Sequence, residues 1–372
     1  MVSIHYTQSK DKFFLRRGFT SRGKKGKIMK KRVLGNMEVS AVGLGCMGFS
    51  TGYGAIPEES ESIRLIRLAF EKGCTLFDTA EQYAAMRNEE LVGKALEPIR
   101  NQITLVSKYA PVALPGQKIG NGKLSREGVR YAVEGSLRRL RTDRIDIYYV
   151  HRIPEGVEIE EIADWFGDMI REGKIIGWGL SEAKPEIIRR AHAALPLTAV
   201  ESEYSMMARQ WEKNVIPLCE ELGIGFMAYA PMAGGLLSGK IDVNTKFSGD
   251  DIRRTITRYS QENVEKNQPI VDLVRKFALQ KNVTPAQISL AWVMHNPFIV
   301  PIPGMRSDAR IVENLGAADV SLTDTEYAAL TELLDGMQVY GDRKDEDIAK
   351  LGALVRNRLF GTSGVPVSGL EK

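Results

Sequence analysis

Four side chains could share a proton-transfer task if the fold brings them together. Asp78 lies in the apolar run 75–80 (TLFDTA) and Tyr83 follows it; Lys108 lies near the end of 103–109 (ITLVSKY), and His151 closes 145–151 (IDIYYVH). A phenol with an ordinary pKa of about 10 is a weak acid at neutral pH. An ammonium beside it favours the phenolate and lowers that pKa, and a carboxylate paired with the ammonium keeps it charged and fixed. An imidazole can hydrogen-bond a substrate oxygen and orient it. Taken singly, His151 reads as a satisfied core histidine and Asp78 as a turn-former after a strand. Their recurrence at three successive run ends is what points to a site.

Eight apolar runs could serve as the strands that carry these residues: 39–46, 75–80, 103–109, 145–151, 174–180, 198–204, 224–230 and 298–303. Helical spacing occupies 59–72, 88–98, 125–141, 158–172, 185–194, 212–222, 264–281 with 284–295, and 308–317. Within 125–141, Val129, Ala132, Val133, Ser136, Leu137 and Leu140 share a face at i, i+3, i+4 intervals. Strand and helix in alternation predict parallel strands joined by helical crossovers. Eight such units over about 250 residues or slightly more match a closed (β/α)8 TIM barrel; an open doubly wound sheet is the alternative. A short N-terminal β-hairpin and a C-terminal helical extension complete the expected α/β architecture. In a barrel, Asp78, Tyr83, Lys108 and His151 would meet at the C-terminal mouth, where barrel enzymes gather reactive groups.

No Pro/Gly/Ser-rich linker divides the body. The expected organisation is a basic, disordered extension over 1–28, one barrel over 29–337 and a tail over 338–372. Two segments break the rhythm. Residues 231–263 form a long loop after the seventh run, and loops of that length are usually functional or mobile. The tail begins QVYGDRKDED and then sets Ile348, Leu351, Leu354, Val355 and Leu359 at helical spacing, which predicts a short amphipathic helix.

The 372 residues carry 51 basic and 47 acidic side chains, a net charge of +4. Residues 1–28 contribute +7 of it (Lys10, Lys12, Arg16, Arg17, Arg22, Lys24, Lys25 and Lys27 against Asp11), so the remainder is −3. The only apolar stretch in that head, Phe13-Phe14-Leu15, is too short for a secretory signal. A transit peptide or a nucleic-acid arm read from its charge is weaker than a plain disordered extension, and activity is expected to survive without it. Hydrophobic residues at 43 % and charged ones at 26 % fit a soluble globular chain. No apolar run approaches the roughly 18 residues of a membrane span. Cys46, Cys74 and Cys219 are odd in number and far apart, which predicts free thiols in a reducing, cytoplasmic setting. With four histidines and no HExxH, no metal site is expected. Residues 43–48 read GLGCMG, formally a dinucleotide GxGxxG, but helix breakers follow where a helix should open, and the next helix begins near Glu58.

The segments FDTAEQY (77–83), VSK (106–108), DIYYVHR (146–152), GLSE (179–182), ESEYS (201–205), YAPMAGGLLSGK (229–240) and PGMRSDARIVEN (303–314) resemble, in order and spacing, the aldo-keto reductases. The resemblance runs from about Lys31 to about Leu334. It implies a (β/α)8 barrel that binds NADPH without a Rossmann fold, with GLGCMG in the first barrel strand. It also implies that Tyr83 is the general acid protonating a carbonyl oxygen as hydride arrives. Lys108 would lower the Tyr83 pKa, Asp78 would hold Lys108, and His151 would position the carbonyl. Ser181, Glu182 and Glu201 would lie at the coenzyme's carboxamide and Tyr229 against its nicotinamide ring. The loop with Pro231, Met232, Gly234, Leu236, Ser238 and Lys240 would wrap the pyrophosphate. Gly304, Arg306 and Arg310 would serve the adenosine 2′-phosphate, for which a guanidinium fork is suited, and Glu313 and Asn314 would face the adenine. As the bland alternative, Arg306 and Arg310 could form a solvated helix face with Asp308 or Glu313.

The chain departs from the family pattern at several positions. Glu201 stands where Gln is usual and cannot donate an amide hydrogen bond unless protonated; Glu182 stands where Asn is frequent, Val150 where Gln is common, and Met305 where Thr is frequent. Met206, Met207 and Trp211 could line a substrate mouth or pack in the core. The expected activity is NADPH-dependent reduction of a small-molecule aldehyde or ketone, with no nucleic-acid or membrane partner. The alternative is a coenzyme-binding regulatory or channel-associated subunit with little turnover, and a nucleic-acid role for the head comes third. Substrate identity, oligomeric state and the strictness of NADPH over NADH lie beyond the sequence.

Overall fold

The structure, a computed structural model, describes residues 29–111, 125–154 and 156–343. The basic extension 1–28 and the amphipathic helix expected around 348–359 lie outside the described residues.

Strands β1 (Lys31–Leu34) and β2 (Met37–Ser40) form an antiparallel hairpin. Eight parallel strands follow in chain order: β3 (Leu44–Gly45), β4 (Leu76–Asp78), β5 (Thr104–Tyr109), β6 (Ile145–Val150), β7 (Ile175–Ser181), β8 (Ala199–Glu203), β9 (Gly225–Tyr229) and β10 (Ile299–Pro301). Each pairs with its sequence neighbour. The sheet then closes: the Gly43 amide donates to Pro301 O (2.9 Å) and the Gly45 amide to Pro303 O (3.2 Å). A Cβ on Gly45 would stand 2.8 Å from Ile302 O, so closure there requires glycine. The fold is a (β/α)8 TIM barrel preceded by a β-hairpin.

The run 39–46, expected as one strand, is two elements. Its first residues belong to β2 and Leu44–Gly45 to the barrel, because the chain bends between them where Ser40 Oγ donates to Val42 O (2.8 Å).

The helices are α1 (Glu59–Glu71), α2 (Arg87–Leu96), α3 (Arg126–Leu140), α4 (Ile159–Arg171), α5 (Pro185–Ala194), α6 (Val215–Leu222), α7 (Gln261–Lys266), α8 (Gln268–Lys281), α9 (Pro285–Val293), α10 (Asp308–Gly316) and α11 (Asp324–Asp335). α11 has no counterpart among the expected helices. Thr323 and Glu326 cap its start reciprocally, and it buries only Leu330 and Leu334. None of the described helices is long and apolar enough to cross a membrane.

Two apolar layers follow from the period of two along each strand. Phe77, Leu105, Tyr148, Val150, Trp178, Leu180, Val200, Phe226 and Ala228 face outward into the core shared with the helices. Leu76, Val106, Ile147, Tyr149, Ala199, Met227 and Val300 face inward and pack with Leu34 and Val39 of the hairpin, which plugs the lower end of the barrel. The barrel's lower interior is therefore dry and filled, and any inward residue further along each strand opens at the upper mouth.

Candidate active site

Parity places the site. Two residues beyond inward Leu76 comes Asp78, two beyond Val106 comes Lys108, and two beyond Tyr149 comes His151. Glu201 stands two beyond Ala199, and Tyr229 two beyond Met227. Tyr83 is carried to the same mouth by the turn after β4. The three residues that follow it, Ala84, Ala85 and Met86, all have positive φ (49°, 51° and 75°), a conformation L-residues adopt at a cost.

The charged centre is fully buried. Lys108 Nζ lies 2.5 Å from Asp78 Oδ1, 3.0 Å from Thr79 O, 3.3 Å from Glu201 Oε1 and 3.4 Å from Tyr83 Oη. One ammonium is thus flanked by two carboxylates and a phenol. Burial opposes the charge on Lys108, but Asp78, Glu201 and Tyr83 together outweigh it and its pKa is raised. Burial pushes Glu201 up to about 8, with Asp78 adding to the rise and Lys108 opposing it. Glu201 Oε2 is buried and receives no hydrogen bond.

Lys108 pulls the Tyr83 pKa down, yet the net pKa is raised above the ordinary phenol value. Burial outweighs the opposing pull of Lys108, so the phenol holds its proton. The His151 ring meets the Tyr83 ring edge to face, centroids 5.8 Å apart. Burial, then Lys108, Arg152 and Arg343, hold His151 well below the usual imidazole range, so it is neutral. Its Nδ1 is buried without a partner. The arrangement can present a protonated phenol and a neutral imidazole to one substrate oxygen, backed by a fixed positive charge.

Around this centre, Ser181 ends β7 and accepts from Arg152 Nη1 (3.2 Å). Glu182, at φ 56°, gives its amide to Glu201 O (3.0 Å), and its Oε1 accepts from the Glu203 amide (2.7 Å). Glu182 thus ties β7 to β8 rather than projecting freely. Met206 and Met207 are buried in the outer core and Trp211 packs against it, so core packing describes all three.

The segment after β9 is not a simple loop. Pro231 is buried, and a 3-10 turn from Ala233 to Ser238 buries Leu236, with Ser238 Oγ donating to Gly235 O (2.6 Å). Tyr259 Oη donates to Ala233 O (2.8 Å). Asp251 grips Arg253, whose guanidinium lies over the rings of Phe247 (4.3 Å) and Tyr53 (5.2 Å) and donates to Gly234 O (3.1 Å). The Ile252 amide donates to Gly52 O (3.0 Å). Residues 231–263 thus reach the loop after β3 and bridge the barrel mouth, and Met232 is half-buried in this strap.

At the end of β10, Gly304 faces Gly45 O, and Ser307 caps α10 by accepting from the Arg310 amide. Arg306 and Arg310 are not equivalent. Arg306 donates to Ala55 O (2.7 Å), Tyr53 O (2.9 Å) and Gly48 O (3.4 Å), while the Arg310 side chain is exposed. Lys240 pairs with Glu313 (3.2 Å) beside a cavity of about 580 Å³ that is also lined by Gln287 and Asp308. Asn314, next to Glu313 on α10, is buried.

Sequence reasoning missed two groups. Arg152, directly after His151, donates to His151 O (2.7 Å) as well as to Ser181; its adjacency in DIYYVHR was the available signal. Glu203, inward like Glu201, binds Arg258 (3.0 Å) and approaches Arg343 Nε (3.8 Å), and the Arg343 guanidinium lies 5.1 Å over the Tyr229 ring. Nothing in local sequence links 203, 258 and 343. Among the described residues no cluster of His, Cys, Asp or Glu could hold a metal ion, and the three cysteines are buried free thiols.

The profile of the Aldo/keto reductase family matches residues 41–335. A Glycine max protein named "Probable aldo-keto reductase 1" is 39 % identical over 310 residues, covering 82 % of this chain and 88 % of its own length. The glycerol dehydrogenase of Gluconobacter oxydans superposes with a TM-score of 0.75 at 27 % identity, over 83 % of this chain and 96 % of that one. A Klebsiella pneumoniae aldo-keto reductase solved in complex with NADPH gives 0.64 at 27 % identity, over 82 % and 96 %.

Proposed function

The chain belongs to the Aldo/keto reductase family and is an oxidoreductase, and we propose that it reduces an aldehyde or ketone to the alcohol with NADPH, Tyr83 acting as general acid. The observation that carries the reading is the buried Lys108, held by Asp78 and 3.4 Å from the Tyr83 hydroxyl. When bound, the coenzyme supplies the hydride. Tyr83 gives its proton to the carbonyl oxygen as negative charge develops there. Lys108 stabilises the phenolate left behind, and Asp78 keeps Lys108 in place. His151, neutral and with an unpartnered Nδ1, orients the carbonyl.

The residues fit a nicotinamide coenzyme. Glu201 Oε2 and His151 Nδ1 are buried polar atoms at the mouth without hydrogen-bond partners. Ser181 and Glu201 would hold the carboxamide, with Glu182 bracing the strand ends, and Tyr229 would face the ring. Pro231, Met232, Gly234, Leu236, Ser238 and Lys240 would flank the pyrophosphate. Gly304, Arg306 and Arg310 would form the 2′-phosphate end, and Glu313 and Asn314 would border the adenine. The Klebsiella pneumoniae aldo-keto reductase solved with NADPH supports this choice of coenzyme. We place the protein in the cytoplasm, with residues 29–337 as the catalytic unit. A panel of aromatic and aliphatic carbonyls assayed with NADPH and NADH tests the function: turnover with NADPH is expected, and coenzyme binding without turnover on any carbonyl would refute it.

A further inference from the structure

Lys108 is shared by two buried carboxylates, and the second of them, Glu201, stands where the family usually has an amide. With both carboxylates ionised, the fully buried group of Asp78, Glu201 and Lys108 would carry one net negative charge, offset only in part by Arg152. Such a charge in a dry site is costly, and the cost falls by binding one proton. The two carboxylates are not equally served. Asp78 holds Lys108 at 2.5 Å; Glu201 is 3.3 Å away, and its Oε2 has no donor at all.

We propose that Glu201 carries this proton in the resting protein and, by losing it, sets the preference of the site between oxidised and reduced coenzyme. The inference rests on the coenzyme reading above. A protonated Glu201 is neutral, like the amide it replaces, and can donate from its unpartnered oxygen. An ionised Glu201 places a negative charge at the nicotinamide end, which favours the cationic ring of NADP+ over the neutral ring of NADPH. The titration falls near pH 8, where burial has raised the carboxyl.

The ionisable groups around Glu201 are Asp78 on β4, Tyr83 after it, Lys108 on β5, Tyr149, His151 and Arg152 on and after β6, Glu182 after β7, Glu203 on β8 and Tyr229 on β9; His151 is held neutral and Tyr229 is raised by burial. Lys108 and the tyrosines are raised and keep their protons between pH 6.5 and 9, while arginine stays charged. Asp78 and Glu182 compete for the proton, since burial raises both; the closer ion pair of Asp78 with Lys108 and the bond Glu182 accepts from the Glu203 amide oppose that rise, whereas Glu201 Oε2 has no donor.

The test measures dissociation constants for NADP+ and NADPH from about pH 6.5 to 9 in wild type and Glu201→Gln. Their ratio cancels titration at the shared phosphates. It is expected to shift about tenfold toward NADP+ across this range in wild type and to stay flat in Glu201→Gln. Infrared difference spectra of the coenzyme-free proteins, wild type minus Glu201→Gln, supply a second readout: a protonated-carboxyl band at pH 7 that fades near pH 8, with the contribution of buried Glu81 common to both proteins and cancelling. A flat wild-type ratio overturns the proposal whatever the variant does. Absence of the difference band, or persistence of the slope in Glu201→Gln, would move the proton elsewhere and overturn it too. Absence of binding by either coenzyme would instead refute the functional reading, with the infrared band still reporting on Glu201.

Discussion

Tyr83 Oη stands 3.4 Å from Lys108 Nζ, yet the phenol remains harder to ionise than in water because burial outweighs that contact. The lysine does not create a standing phenolate; it partly offsets the cost of forming one when the proton leaves. Tyr83→Phe keeps the ring and its edge contact with His151 and removes the proton. The variant is expected to lose about 10²- to 10⁴-fold in kcat for carbonyl reduction, with its NADPH dissociation constant within about twofold of wild type. Steady-state NADPH oxidation and fluorescence titration check this; turnover close to wild type would remove Tyr83 from the acid role.

Much of the centre was legible because strands alternate. Asp78, Lys108, His151, Glu201 and Tyr229 each follow an inward apolar residue by two, and that parity is visible in the chain. The net pKa of Tyr83 was not legible, since burial and a neighbouring charge pull in opposite directions and only their balance decides. The split of 39–46 was hidden because both halves are apolar, and the bend is fixed by bonds to distant residues, Ser40 with Thr75 and the Gly43 amide with Pro301 O. α11 carried a readable capping box at Thr323 and Glu326 but a sparse apolar face. The pairing of Glu203 with Arg258 joins residues 55 positions apart, which no local pattern encodes.

The strap after β9 depends on a position that tolerates no side chain. Gly234 has φ 59°, and a Cβ there would lie 2.1 Å from Tyr259 Oη, the group that donates to Ala233 O. Gly234→Ala therefore breaks the local packing of 231–263 while leaving the barrel strands alone. Coenzyme affinity is expected to fall by tenfold or more, with the Tm lowered by only a few degrees. A matched loss of Tm and affinity would show instead that the strap is part of the core.

The two arginines near α10 should differ in what they discriminate. Arg306 donates to the carbonyls of Gly48, Tyr53 and Ala55, so Arg306→Ala unfastens that loop and should weaken NADPH and NADH alike. Arg310 is exposed one turn along and can offer its fork to a phosphate. Arg310→Ala should reduce kcat/KM for NADPH about tenfold and leave NADH within about twofold. An unchanged NADPH to NADH ratio in Arg310→Ala would take 2′-phosphate recognition away from it.

Behind the site, Glu81 is buried beside Glu89, and Arg139 must serve both: its Nε lies 2.6 Å from Glu89 and its Nη2 3.5 Å from Glu81. Burial, with Glu89 adding repulsion and Arg139 opposing, pushes Glu81 up to about 7. Its folded pKa thus exceeds the unfolded one, so the folded state holds the extra proton, and the resulting stability is present below about pH 4.5 and lost as pH rises through 7. Glu81→Gln cannot lose that proton. Relative to wild type, the variant should gain stability from pH 5 to pH 8, by up to about 3 kcal/mol if the full shift is expressed. Urea unfolding at intervals across this range measures the difference, and because Glu201 titrates in both proteins its contribution cancels. Stability curves that run parallel with pH would mean that Arg139 compensates both carboxylates and that Glu81 is ionised in the fold.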